Sequence, residues 1–387
     1  MITNPFILYG YESEKYFCDR KSETENLKKM IVNGNNVALI APRRIGKTGL
    51  IEHLFHQKEI SRNYYTFLID IYATKSMEEL TLALSTSMLA SLRPYGKKVM
   101  QNFVNFLTSL RTGVSFDAMG NPSWNLEVGS IKHPHVTLDE IFQYISNSDK
   151  PCIVAIDEFQ TISNYANVKA EALLRTYVQR CRNAQFIFSG SQRTMMSEIF
   201  TSPSRPFYQS TSMMNIGSIP ADKYAQFAQK HFEEAGKTIR KETILSVYQQ
   251  FEGITWYIQR MMNELFSITS PGSECTAEMT DTAIKNILRA NEFAYQSTLF
   301  QLPPKQKELL VAICKEGKAK NLTSFSFIQK YHLPSSSSVQ SAVKGLLDKN
   351  FVTSTLGIYE VYDKFFALWL NQKYSHEKNV KIGSTIH

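Results

Sequence analysis

Val37-Ala38-Leu39-Ile40-Ala41-Pro42-Arg43-Arg44-Ile45-Gly46-Lys47-Thr48 is the stretch on which the reading of this chain turns. The polar pair Asn35-Asn36 precedes four apolar residues, and a loop containing Pro42 and Gly46 follows them. That pattern predicts a buried strand, a loop, and a helix starting near Lys47. From Ala41 to Thr48 the residues follow the phosphate-loop pattern G-x-x-x-x-G-K-[ST], with Ala41 in place of the first glycine. In such a loop the backbone N–H groups surround phosphates at a helix start whose dipole favours negative charge. Lys47 is therefore expected to reach the β- and γ-phosphates of ATP, and the Thr48 hydroxyl to ligate Mg2+. Pro42, Arg43, Arg44, Ile45, Gly46 and Gly49 complete the expected nucleotide-binding set. Ala41 narrows the loop's backbone freedom but removes no N–H donor.

A second motif, Cys152-Ile153-Val154-Ala155-Ile156-Asp157-Glu158, reads as a buried strand ending in two acids. It delivers carboxylates to the C-terminal edge of a sheet, where open α/β folds bind ligands. An acidic pair at a strand end can simply cap a helix, but beside a phosphate loop it has defined roles. Asp157 is expected to hold the Mg2+ through water, and Glu158 to activate the attacking water as a general base. A third candidate follows the next strand, at Ser189-Gly190-Ser191-Gln192-Arg193. If that strand lies beside both motif strands, its polar end reaches the γ-phosphate. Arg193 then becomes a candidate for stabilising transition-state charge, as are Arg43 and Arg44.

Tyr65-Thr66-Phe67-Leu68-Ile69 and Gln185-Phe186-Ile187-Phe188 repeat the buried-strand character, and the segment from Met213 to Ile219 offers a fifth strand. Helical patterns between them imply a mostly parallel sheet covered on both faces, hence an α/β core over residues 1–220. The stretch from Tyr95 to Pro134 interrupts the alternation, because Gly113, Gly120, Pro122 and Gly129 punctuate aromatics such as Phe116 and Trp124. It reads as an insertion holding a hairpin. After Pro220 the spacing becomes helical through residues 221–300, with helices expected over Glu242 to Phe251, Thr255 to Phe266 and Thr276 to Phe300. Pro303-Pro304 marks a boundary. Beyond it three short helices (Lys305 to Glu316, Ser324 to Tyr331, Ser336 to Lys349) and two strands turning at Gly357 form a winged-helix pattern over residues 301–374, followed by a polar tail from Ser375.

The 387-residue chain, 43% hydrophobic and 20% charged, has enough apolar residues for a large core. No apolar run approaches the roughly 18 residues that would cross a bilayer, and no leader pattern opens the sequence, so a cytoplasmic protein without a membrane partner is expected. Cys18, Cys152, Cys181, Cys275 and Cys314 are far apart and never form C-x-x-C, which suggests neither a disulfide framework nor a zinc site. Of the net charge of +8, a disproportionate share falls after Gln301, where twelve Lys and no Arg face six Asp and Glu. Such a module suits an anionic partner such as DNA, or is a solvated face.

Pro42-Arg43-Arg44-Ile45-Gly46-Lys47-Thr48, Ile156-Asp157-Glu158-Phe159-Gln160 and Phe188-Ser189-Gly190-Ser191 together resemble the archaeal-type ATPases of archaea and many bacteria, a branch related to STAND signalling NTPases and AAA+ proteins. The similarity extends upstream to Tyr16-Phe17-Cys18-Asp19-Arg20-Lys21-Ser22-Glu23 and downstream to Tyr359-Glu360-Val361-Tyr362-Asp363-Lys364-Phe365-Phe366. The resemblance implies a P-loop NTPase sheet, a helical lid and a winged helix, with ATP hydrolysis as the activity. Relatives often carry Gly-x-Pro or a sensor arginine in the lid, whereas this chain has Gly253-Ile254-Thr255. A winged helix usually reads DNA with its third helix, but arginine, the usual guanine reader, is missing here, so Lys330, Lys344 and Lys349 would contact phosphates with little sequence preference. Three functions are consistent with these residues: a nucleotide-controlled switch acting on a protein or DNA partner, a DNA-binding ATPase, and a nucleotide-binding scaffold without turnover.

Overall fold

The computed structural model describes residues 3–109, 114–116, 122–124, 134–165 and 169–375. The chain runs through α1 (Lys21–Val32), β1 (Val37–Ile40), α2 (Lys47–His56), α3 (Lys58–Asn63), β2 (Tyr65–Asp70), α4 (Met77–Leu92) and α5 (Lys97–Phe106). A hairpin of β3 (Val114–Phe116) and β4 (Pro122–Trp124) comes next, then α6 (Pro134–Ser146), β5 (Cys152–Asp157), α7 (Ala170–Arg180), β6 (Ala184–Gly190), α8 (Arg193–Thr201) and β7 (Ser212–Asn215). The remainder comprises α9 (Ala221–Glu234), β8 (Thr238–Ile239), α10 (Lys241–Gln250), α11 (Thr255–Ile268), β9 (Glu274–Cys275), α12 (Met279–Phe300), α13 (Pro304–Glu316), α14 (Phe325–Lys330), α15 (Ser336–Asp348), β10 (Val352–Thr355), β11 (Ile358–Val361) and α16 (Lys364–Ser375).

β1, β2, β5, β6 and β7 form one parallel sheet in the order β2-β5-β6-β1-β7. Strand residues alternate between its faces. Ala38, Ile40, Val154, Ile156, Phe186 and Phe188 enter one apolar cluster, covered by α4, α6, α7 and α8. Val37, Leu39, Ile153, Ala155 and Ile187 enter a second, covered by α1, α2 and α3. With both faces buried, each strand reads as a continuous apolar run, and the α/β P-loop class expected from the sequence is the fold found. β6 lies between β1 and β5, which brings the phosphate loop, the acidic pair and the Ser191 turn to one edge of the sheet.

The described residues divide into two compact units: those within 3–230 together with Gly253–Gln259, and residues 231–252 with 260–375. In the second unit α13 packs on α15 and α16, and β10 pairs antiparallel with β11. The wing turn is the two residues Leu356 and Gly357, both at positive φ (51° and 76°). Several boundaries differ from the expectation. α12 starts at Met279 and not Thr276, because Glu274-Cys275 is extended and pairs with Thr238-Ile239. β7 ends at Asn215, short of the expected Ile219. α16 was not foreseen, although Asp363 Oδ1 accepts from the Phe365 and Phe366 N–H groups at 2.9 and 3.0 Å, and Phe365, Phe366, Trp369 and Leu370 are buried at helical spacing. The hairpin expected in the insertion is β3–β4, while Gly113, Gly120, Gly129 and the tail from residue 376 lie outside the described residues. All five cysteines are buried and free.

Candidate functional site

The site is built on the short connection from β1 to α2. Gly46, the N-cap of α2, adopts φ 97°, and Arg44 adopts φ 67°. These are the loop's left-handed positions; Ala41 is not among them, its side chain is fully buried, and its N–H donates to the Gly190 carbonyl at 3.3 Å. The missing first glycine therefore costs this loop nothing in backbone strain. Pro42 and Arg43 are half-buried, Ile45 enters the core, and Gly49 in the first turn of α2 lies against Phe17.

Lys47 is only 6% exposed, yet its ammonium has acidic partners, with Nζ 3.4 Å from Glu158 Oε1 and 3.9 Å from Asp157 Oδ1. The Thr48 hydroxyl donates to Asp157 Oδ2 at 2.6 Å. A hydroxyl touching a carboxylate at a helix start is a hard-oxygen donor set that suits Mg2+, and a buried cation beside it suits phosphate, so the residues present fit the expected ligands. Glu158 adopts φ 54°, and the next residue, Phe159, is locked among Phe188, Phe200 and Phe207 with ring centroids 4.5 to 5.8 Å apart. This aromatic cluster fixes the turn that carries both acids.

Glu158 Oε2 accepts from Ser191 Oγ at 2.7 Å and from Gln160 Nε2 at 2.5 Å. Ser191 Oγ in turn accepts from Arg43 Nε at 3.3 Å. Lys47, Thr48, Asp157, Glu158, Arg43 and the Ser191 turn therefore form one constellation. Arg193 begins α8, is exposed, and makes no hydrogen bond or ion pair among the described residues. Arg44 turns away from the acids: its guanidinium lies 4.7 and 4.8 Å from the ring centres of Trp256 and Tyr257 and donates to the Tyr257 hydroxyl.

Three residues not singled out in the sequence belong to the site. Asp70 ends β2 and pairs in register with Asp157. Partial desolvation at the strand end, together with the charges of Asp157 and Glu158, holds its carboxyl above the usual range, against the hydrogen bond from the Tyr72 N–H and the charge of Lys47. Its signal was available, since it too is an acid at the end of an apolar strand. Buried Arg20 donates to the carbonyls of Ile45 at 3.3 Å and Gly217 at 2.6 Å, bracing the loop from below. Gln160 stands in the segment Ile156–Gln160 that carries the family resemblance, but no sequence signal marked it for a role of its own. On the opposite side Trp256 N–H donates to the Arg44 carbonyl at 3.0 Å and Thr255 Oγ1 to the Ile45 carbonyl at 3.3 Å, so Thr255 is a hydrogen-bond donor to the phosphate loop.

A parallel five-stranded sheet with a phosphate loop at its edge, accompanied by a winged helix, defines a P-loop ATPase fold. Residues 17–261 match the family described as an ATPase domain predominantly from Archaea, and the chain belongs to that family. Residues 293–372 match a probable winged helix domain. Among solved structures, a Walker-type ATPase of Pyrococcus abyssi superposes with a TM-score of 0.61 at 17% identity, over 95% of this chain and 99% of that one. The ORC2 protein of Aeropyrum pernix, solved with ADPNP and ADP, gives 0.58 at 13% identity over 98% of each chain. The ORC1 protein of the same organism, solved with DNA, gives 0.50 at 12% identity over 94% of this chain and 95% of that one. None of the curated proteins matches. Among the described residues no helix is long and apolar enough to cross a membrane.

Proposed function

We propose that the chain binds ATP with Mg2+ at Pro42–Gly49, hydrolyses it slowly, and uses its nucleotide state to control a protein or DNA partner. The observation that carries this reading is the contact set Lys47–Glu158, Lys47–Asp157 and Thr48–Asp157, made across the end of β6 between residues that follow β1 and residues that end β5. Lys47 exchanges its carboxylate partners for the β- and γ-phosphates when nucleotide enters, and that exchange frees Glu158 to accept a proton from water. Thr48 and Asp157 would hold the Mg2+, which when bound shields the phosphate charge. Arg43, already tied to Glu158 through Ser191, is better placed than exposed Arg193 to answer charge developing on the γ-phosphate. A change at the loop reaches beyond the sheet through Arg44 and Ile45, which hold the first turn of α11. The nucleotides in the Aeropyrum ORC2 structure are consistent with this use of the fold.

A second reading, a DNA-linked ATPase, is favoured by the lysine surplus of the winged helix and by the DNA in the ORC1 structure. Lys344 is exposed on α15, and Lys349 lies just past its end, whereas Lys330 is held by Glu316 at 2.8 Å. ATP turnover by wild type and Lys47→Ala, with and without duplex DNA at two salt concentrations, separates the readings. Turnover that needs Lys47 and rises with DNA at low salt supports the second, and turnover indifferent to DNA supports a protein partner. Absence of turnover in the wild type leaves a nucleotide-binding scaffold and removes hydrolysis from the proposal.

A further inference from the structure

Gln160 is 2% exposed, two residues past Glu158 on the short 3-10 helix Phe159–Asn164. Its Nε2 donates to Glu158 Oε2 at 2.5 Å, while its Oε1 is buried with no donor among the described residues. An ionised carboxylate can only accept, so the amide must turn its NH2 to Glu158 and its carbonyl the other way. That carbonyl faces bare backbone: a β carbon at Gly190 would lie 2.5 Å from Gln160 Oε1 and 2.3 Å from Met196 Sδ. An unsatisfied buried carbonyl is a standing cost that an apolar residue of the same size would not carry. Folding alone would therefore favour methionine here, and what glutamine adds is the donor on Glu158.

We propose that Gln160 is a positioning residue for Glu158, an inference that rests on the hydrolytic reading above. Gln160 and Ser191 hold Oε2 from two sides, at 2.5 and 2.7 Å, and leave Oε1 on the side of Lys47, 3.4 Å away. Oε1 is then the atom that takes the proton from water, and Gln160 itself gains and loses nothing. Gly190 belongs to the same device, because its missing side chain is the space that the amide carbonyl occupies.

The test is Gln160→Met in the full-length protein, read by steady-state ATPase kinetics, nucleotide titration and thermal unfolding. The expected result is a fall in kcat of about 10- to 100-fold, the scale of a misplaced catalytic group. KM and nucleotide affinity stay within about twofold and the melting temperature does not fall, because a purely structural glutamine would show the reverse pattern. In a Glu158→Gln background the same substitution should cost nothing further, since the effect runs through that carboxylate. A readout independent of turnover is the side-chain NH2 resonance of Gln160 in glutamine-labelled protein, identified by its loss in Gln160→Met; it should shift on Glu158→Ala. An unmoved resonance, or unchanged kcat in Gln160→Met when the wild type turns over, overturns the inference alone. No turnover in the wild type, with the resonance still tied to Glu158, overturns the hydrolytic reading and the catalytic role with it.

Discussion

At the scale of single residues, backbone conformation explains which substitutions in the motif are tolerated. Ala41 stands where the phosphate-loop pattern has glycine, and its fully buried methyl faces no positive φ. Gly190 is the opposite case, being in an ordinary strand conformation but with no room for a β carbon. Met196 is flexible but fully buried, so it has nowhere to retreat. Gly190→Ala is therefore expected to destabilise the protein by about 1–3 kcal/mol, the usual cost of overpacking, and to depress turnover by pushing Gln160 off Glu158. Chemical denaturation and steady-state kinetics read the two effects separately; an alanine variant as stable and active as wild type would show that the space is not needed. Legibility at this scale was uneven. Lys47, Thr48, Asp157 and Glu158 were named from spacing, and the structure brings those four together. Gln160 and Arg20 act through contacts across 2 and 25 residues whose partners no spacing rule specifies.

At the scale of elements, two short pieces of chain carry testable strain or coupling. The first turn of α11 holds the phosphate loop through two hydrogen bonds and the stacking of Arg44 on Trp256 and Tyr257. Trp256→Ala should remove about 0.5–2 kcal/mol of cation–π attraction, leave Arg44 at positive φ with less support, and weaken nucleotide binding several-fold. Isothermal titration with ATP measures it, and unchanged affinity would mean the turn is not coupled to the loop. The wing shows a separate effect. Leu356 occupies the first position of the two-residue turn at φ 51°, 98% exposed, where asparagine or glycine is the usual choice. Leu356→Asn is expected to stabilise the second unit by up to about 1 kcal/mol, the order of the strain a branched side chain suffers in that region, and thermal unfolding would reveal a lower melting point if the leucine were instead held by packing. The turn itself was legible from Gly357, but the strain at Leu356 required the register Thr355–Ile358 that closes it.

At the scale of the molecule, charge ties distant parts of the sequence together within the second unit. Glu252, at positive φ after α10, pairs with Lys318 and Lys364, each at 2.7 Å. Partial burial alone would raise its carboxyl, but these two lysines outweigh burial and hold it below the usual carboxylate range. A carboxylate depressed in the folded state contributes stability above its unfolded pKa and loses it as pH falls through the folded value. Urea midpoints should therefore drop on acidification from about pH 5 downwards, and Glu252→Gln should lower the midpoint more at neutral pH than at acid pH. Equal loss at both pH values would assign the effect to packing. The lysine-rich composition of the last quarter was plain from the sequence; that Lys318, Lys330 and Lys364 face acids of their own unit, while Lys344 lies exposed, was not.

The sequence by itself determined the class of fold and the polar core of the site, because apolar runs ending in Gly-Lys-Thr and Asp-Glu combine two local signals, buried strands and phosphate-binding chemistry, that lie within a few residues of each other. It also determined the winged-helix pattern, again from local periodicity and turn residues. Only the tertiary structure decided that β6 separates β1 from β5, that Arg44 belongs to Trp256 and Tyr257, and that Gln160 and Ser191 share one oxygen of Glu158. Those facts depend on strand order and on which way side chains are turned by the packing around them, and neither leaves a period in the sequence from which it could be read.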